Sequence, residues 1–115
     1  DPALVSYRPL EWLLLAAPWY RGRVVLIGDA AHTNPPNIAQ GAAMGIEDAL
    51  VLAEEVTKPG PLDAALERFM RRRWDRAKLV VEASCRIAMD QVEHTPGFDP
   101  AAEIARANTV LAEPF

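Results

Sequence analysis

The sequence is short of cysteine, of long apolar runs and of positive charge, and each shortage removes a class of protein. A single cysteine, Cys85, in 115 residues excludes an intrachain disulfide framework. Such a chain fits a reducing, cytoplasmic setting better than secretion. No segment approaches the run of roughly 20 apolar residues that a membrane-spanning helix needs. The most apolar stretch, residues 12–19, is too short and contains Pro18. Lysine and arginine total 12 against 16 acidic residues, a net charge of −4, so no surface for nucleic acid is expected. There is no basic segment followed by an apolar one at the start, no internal repeat and no low-complexity tract. The first residue is Asp1, which suggests a processed chain or a piece cut from something longer.

What is present is globular. Half of the residues are hydrophobic and about a quarter are charged, unlike a disordered chain. The length allows one domain at most, burying roughly half to two-thirds of its unfolded surface.

Along the chain, residues 4–7 read as a short strand stopped by Pro9. Residues 10–17, apolar and bounded by Pro9 and Pro18, read as a second strand. The uninterrupted run Val24, Val25, Leu26, Ile27 reads as a fully buried strand of a sheet covered on both faces. A strand of that kind needs neighbours on both sides, so it implies a larger sheet. Residues 29–39 hold Pro35, Pro36 and two asparagines, and read as a loop. A helix follows from Gln40 or Gly41, with Ile46, Ala49, Leu50, Ala53 and Val56 as its apolar stripe. Pro59, Gly60 and Pro61 end it. Residues 62–93 lack glycine and proline and carry one stripe from Leu62 to Ala88, which reads as one long helix, or two with a bend, of about 45 Å at 1.5 Å per residue. Asp99 as N-cap and Pro100 at the first position open a last helix to about Leu111.

The chemistry concentrates in residues 23–49. The strand runs into Gly28 and Asp29, where glycine permits close approach of a ligand. The carboxyl end of such a strand is where open α/β sheets bind ligands. A carboxylate there accepts hydrogen bonds from hydroxyls of a ribose or ribityl chain. Pro35 and Pro36 stiffen the following loop. Gln40, Gly41, Ala42 and Ala43 then open a helix with small side chains. The first N–H groups of a helix lack partners and carry partial positive charge, so a flat ring that gains negative charge would be stabilised beside them.

These residues resemble the para-hydroxybenzoate hydroxylase-like, single-component FAD monooxygenases. The resemblance rests on Gly28, Asp29, Ala30, Ala31 and His32, on Pro35 and Pro36, and on Gln40, Gly41, Ala42 and Ala43. It spans residues 21–56 and continues more weakly through the arginines at 71–73 and Ser84. It implies an α/β parent fold of the FAD/NAD(P)-binding, glutathione-reductase-like Rossmann kind, with this segment mostly α plus one to three strands. Residues 1–58 would be the end of the FAD-binding domain and 59–115 a C-terminal helical region. The resemblance implies FAD as cofactor, NAD(P)H as reductant, and hydroxylation of an aromatic or related ring. It places Asp29 on the ribityl hydroxyls, the N–H groups of Ala42 and Ala43 at the pyrimidine edge of the flavin, and Pro35 and Pro36 beside the ring. No residue is assigned to catalysis or to a metal. The family's Gly-x-Gly-x-x-Gly pyrophosphate element and its middle FAD and NAD(P)H motif are absent. The chain is therefore expected to need those regions or a partner chain, to hold FAD weakly alone, and to self-associate. Two other readings stay open: a stand-alone helical interaction module, or the same fold with halogenase, reductase or epoxidase chemistry.

Other residues have blander readings. Asp29 taken alone could be a cap. His32 is read as structural, bonding the loop backbone. Of Glu47 and Asp48, at least one is solvated or partners a distant arginine. Arg71, Arg72, Arg73 and Arg76 read as a solvated face with Glu67 and Asp75 close enough to pair, a phosphate site being the minority reading. Trp74 and Cys85 read as packing, and His94 as a loop residue without a role.

Overall fold

The computed structural model describes residues 2–6 and 9–115. Its elements are strands β1 (Tyr20–Arg21) and β2 (Val24–Val25), then helices α1 (Asp29–His32), α2 (Gly41–Thr57), α3 (Leu62–Glu93) and α4 (Pro100–Leu111). Two short 3-10 turns lie at Pro2–Leu4 and Pro36–Ile38. Helix α3 is the spine, with α2 and α4 packed along it. Among the described residues no helix is long and apolar enough to cross a membrane.

The helices follow from their punctuation. α2 stops before Pro59, Gly60 and Pro61. Across its 32 residues α3 meets no breaker, and it ends at His94, which caps it in the left-handed conformation and donates its N–H to the Asp90 carbonyl at 2.8 Å. Glycine usually takes that position; here His94 does, the role that the sequence left unassigned. At α4 the Asp99 carboxylate accepts from the N–H groups of Ala101 and Ala102, the expected cap.

The strands depart from expectation. Leu4 belongs to a 3-10 turn rather than a strand, and Val5 and Ser6 join no strand among the described residues; Tyr7 lies outside them. Leu4 and Val5 are exposed, so no burial favours an extended pairing. Residues 10–17 form no strand either. Leu13 and Leu15 donate their N–H groups to the carbonyls of Thr33 and Ala31, at 2.9 Å each, so the segment is tied to α1 and its end instead of to a ladder. The run 24–27 is not a fully buried parallel strand. Val24 and Val25 pair antiparallel with Arg21 and Tyr20 in a two-residue hairpin. Val24 is 66% exposed and Leu26 also lies open, while Val25 and Ile27 pack inward. Exposure alternates because one face alone meets the helices. Residues 29–39 are likewise more ordered than a plain loop, holding α1 and the second 3-10 turn.

Two clusters make the core. Trp19, Ala31, Val51, Phe69, Met70 and Ala77 form one, with Trp74 packed against it as expected. Ile38, Met44, Val80, Ala83, Ile87 and Ala107 form the other, under α4. The face that α2 buries is the one the sequence did not indicate. Met44, Asp48, Val51 and Glu55 point inward, while Ile46, Leu50 and Val56 lie exposed.

Candidate functional site

Gly28 turns the chain from the hairpin into α1. Its φ of 57° and ψ of −141° lie outside the region open to other residues. Its Cα faces Gly45 of α2, and a Cβ on Gly28 would sit 3.6 Å from the Gly45 Cα. The two glycines thus let the strand end and α2 approach closely. The Gly28 carbonyl accepts from the N–H groups of Ala31 and His32, both at 2.9 Å, closing the single turn of α1.

This turn and the start of α2 border one cleft of about 320 Å³, lined by Asp29, Thr33, Asn34, Pro36, Ala39, Gly41 and Ala42. Asp29 is exposed, and its carboxylate makes no hydrogen bond among the described residues, so it is not a cap; Gly28 holds the cap position of α1. Gln40 caps α2 without a side-chain bond. The N–H groups of Gly41, Ala42 and Ala43 are unpaired among the described residues, and Met44 is the first to donate, to the Gln40 carbonyl. Of the other residues singled out from sequence, Pro36 lines the cleft while Pro35 is fully buried beside it. Gly28, Gln40 and Ala43 flank the lining without belonging to it. Thr33, Asn34 and Ala39 line it without having been singled out. The asparagine-proline string was their signal, read as loop chemistry alone.

Behind the cleft lies a buried ionic network. His32, Asp48 and Arg73 are all fully buried. Asp48 accepts from His32 Nε2 at 2.6 Å, from the Gly28 N–H at 2.8 Å and from Arg73 Nε at 2.7 Å. Burial pushes the Asp48 carboxyl up, but these three donors outweigh it and hold it below its ordinary value. Arg73 also bonds Glu47 and the Met44 carbonyl, and Glu47 bonds Arg76. Glu47 is likewise depressed, its two arginines overcoming desolvation.

Both carboxylates therefore partner distant arginines, as one branch of the sequence reading allowed. His32 is structural, but its partner is a carboxylate instead of the loop backbone. Of the arginine run only Arg71 is solvent-exposed as expected; Arg72, Arg73 and Arg76 turn toward carboxylates. Arg73 is buried, Arg72 binds Glu54 and Glu55, and Arg76 binds Glu47 and the carbonyls of Val110, Leu111 and Glu113. Glu67 and Asp75 pair with none of them, because α3 turns its arginines toward the carboxylates of α2. Cys85 is half-buried, and burial raises its thiol pKa. No group of side chains fit to hold a metal ion occurs among the described residues.

The cleft thus carries a carboxylate and helix-start N–H groups that are both unpaired among the described residues. FAD fits it on further observations. Asn34 Oδ1 and Asn37 Oδ1 are buried without hydrogen-bond partners among the described residues. Gly41 leaves open a space where a Cβ would press on Asn34 Oδ1 at 3.1 Å. The chain belongs to the family described as FAD binding domain, whose profile matches residues 12–84.

Among curated relatives, YetM of Bacillus subtilis (strain 168), named as an FAD-dependent monooxygenase, is 43% identical over 96% of this chain. The 3-hydroxybenzoate 6-hydroxylase 1 of Aquipseudomonas alcaligenes is 43% identical over 69% of it. The 6-hydroxynicotinate 3-monooxygenase of Bordetella bronchiseptica is 46% identical over 71% of it. The chain spans only 30%, 20% and 24% of their respective lengths. No solved structure matches it.

Proposed function

We propose that this segment is the flavin-contacting end of the FAD-binding domain in a longer monooxygenase, which uses NAD(P)H and hydroxylates an aromatic or related ring. The observation that carries this reading is the cleft shared by Asp29 and the start of α2. The relatives named for hydroxybenzoate and hydroxynicotinate support the substrate class. The parent fold is the glutathione-reductase-like Rossmann fold, with residues 1–58 completing the FAD-binding domain and 59–115 bracing it. Regions that grip the pyrophosphate and the substrate come from the rest of that longer protein.

Bound FAD supplies the redox and oxygen chemistry. The chain supplies position and field. Asp29 accepts hydrogen bonds from the ribityl hydroxyls. The N–H groups at Gly41, Ala42 and Ala43 stabilise negative charge at the pyrimidine edge, where pre-aimed donors act most strongly. Gln40 opens that helix, Gly28 allows the approach, and Pro36, set by buried Pro35, walls the ring. His32 moves no proton; it is held by Asp48.

Asp29→Ala in the full-length flavoprotein tests the reading. Loss of a charged acceptor costs about 1.5–3 kcal/mol, or roughly 10- to 150-fold in FAD affinity. Asp29 is exposed and makes no hydrogen bond among the described residues, so the melting temperature without flavin should not change. An Asp29→Ala protein that keeps FAD as tightly as the parent overturns the assignment. NAD(P)H oxidation unaffected by any aromatic acid or phenol would overturn the proposed reaction.

A further inference from the structure

Asp48 does more than close an ion pair. Its Oδ2 accepts from the Gly28 N–H and from His32, while its Oδ1 accepts from Arg73. Gly28 and His32 bracket Asp29 within α1 and its cap. Asp48 also stands seven residues along the same helix from Gly41, about two turns. One carboxylate therefore fixes both walls of the cleft, Asp29 on one side and the start of α2 on the other. With Asp48 ionised, His32 must carry a proton on Nε2 to make the bond.

We propose that Asp48, acting through Gly28 and His32, is a positioning residue for the flavin. It sets the placement of the Asp29 carboxylate relative to the free N–H groups of α2, and so the affinity and reduction potential of the bound flavin. This rests on the flavin reading above. The competing account is plain stability, and α2 supplies the comparison. Glu55 is as buried as Asp48 and holds Lys58, Arg68 and Arg72, but it stands seven residues farther from the cleft.

The test uses the full-length flavoprotein and two pairs of variants. FAD affinity is read by fluorescence titration, the reduction potential by redox titration of the loaded protein, and stability by melting without flavin. Asp48→Asn should weaken FAD at least about 10-fold, the effect of losing one charge-assisted bond, and make the potential more negative. Glu55→Gln should lower the melting temperature and move neither. His32→Ala should act like Asp48→Asn, whereas His32→Gln, whose amide N–H can donate to Asp48, should recover most of the affinity.

If Asp48→Asn loses stability as Glu55→Gln does but keeps affinity and potential, the proposal is overturned. If Asp48→Asn does not fold, the His32 pair decides. No weakening in His32→Ala, or no recovery in His32→Gln, overturns it. Asp29→Ala measured alongside separates the two layers. If Asp29→Ala also leaves FAD unaffected, the flavin reading itself fails. If only Asp29→Ala weakens FAD, the site stands and the positioning role is lost.

Discussion

Gly41 is the position where stability and flavin binding should respond in opposite ways. Its φ is outside the left-handed region, so a side chain there meets no backbone strain. An added Cβ would lie 3.1 Å from Asn34 Oδ1, and its next two nearest atoms belong to the same side chain, at 3.8 Å. Asn34 can give a few tenths of an ångström, although its amide is tied to the Pro35 carbonyl at 2.8 Å and to Ser84 at 3.3 Å. Glycine in a helix costs up to about 1 kcal/mol relative to alanine. Gly41→Ala should therefore leave the flavin-free protein as stable as the parent or slightly more so. Gly41→Val adds two further carbons to a cleft of about 320 Å³. It should push the ring from the N–H groups of Gly41 and Ala42. Losing a bond of that kind costs about 1.5–3 kcal/mol, so FAD affinity should fall roughly 10- to 150-fold. The bound flavin should also take a more negative reduction potential. Fluorescence titration, redox titration and melting of the flavin-free protein check the three statements. A valine variant with unchanged affinity and potential would refute the placement of the ring at the start of α2.

Arg73→Met should destabilise the folded chain by about 3–5 kcal/mol in urea titration, because it leaves Asp48 buried without its arginine, while Glu47 keeps Arg76; a loss under 1 kcal/mol would mean that water reaches the site. Lys58, Arg68 and Arg72 hold the Glu55 carboxyl at about 2, down from an ordinary 4.5. Its folded-state pKa is depressed, so its contribution is whole above about pH 4.5 and lost as pH falls toward 2. Glu55→Gln should accordingly flatten part of the acid-side loss of stability, and an identical pH profile would remove Glu55 from that account. The isolated 115-residue chain should associate in light scattering through Ile46, Leu50 and Val56, exposed along α2; a clean monomer at high concentration with a cooperative melt would contradict this.

The helices were legible because their ends are written locally. Asp99 and Pro100 open α4, and Pro59 to Pro61 separate α2 from α3, with no distant partner needed. The cleft was legible for a similar reason: Asp29 and Gly41 stand within thirteen residues of each other in sequence. The buried face of α2 was not. Its apolar stripe, Ile46, Leu50 and Val56, outranks Met44, Asp48, Val51 and Glu55 on composition alone. Only the positions of Arg68, Arg72 and Arg73 on α3 make two carboxylates an inward face, and no local pattern encodes that pairing. The spacing of Met44, Asp48, Val51 and Glu55, by four, three and four, was the available signal. The strand at 24–27 failed differently. Its composition suits a covered sheet, but the described neighbours offer one hairpin partner and one packing face.

Two ionic hubs along α2 explain why such costly groups are kept inside. A buried ion pair is seldom more stabilising than well-packed apolar side chains of the same size, so stability alone is a weak reason for either hub. Register is a stronger one. Asp48 with Glu47 engages Arg73 and Arg76, and Glu55, two turns on, engages Arg68 and Arg72. Sliding α2 by one turn along α3 would strand buried carboxylates away from their arginines, at a cost of several kcal/mol for each. Apolar contacts alone would resist such a slip far less, because they lack direction. The two hubs therefore hold α2 in register against α3, and only the Asp48 hub also bonds the cleft's other wall. Asp48 passes that setting to Gly28 and His32, and so to Asp29. On this argument Asp48 serves the free N–H groups at the start of α2, whose value to a flat ligand depends on where they stand, while Glu55 serves register alone.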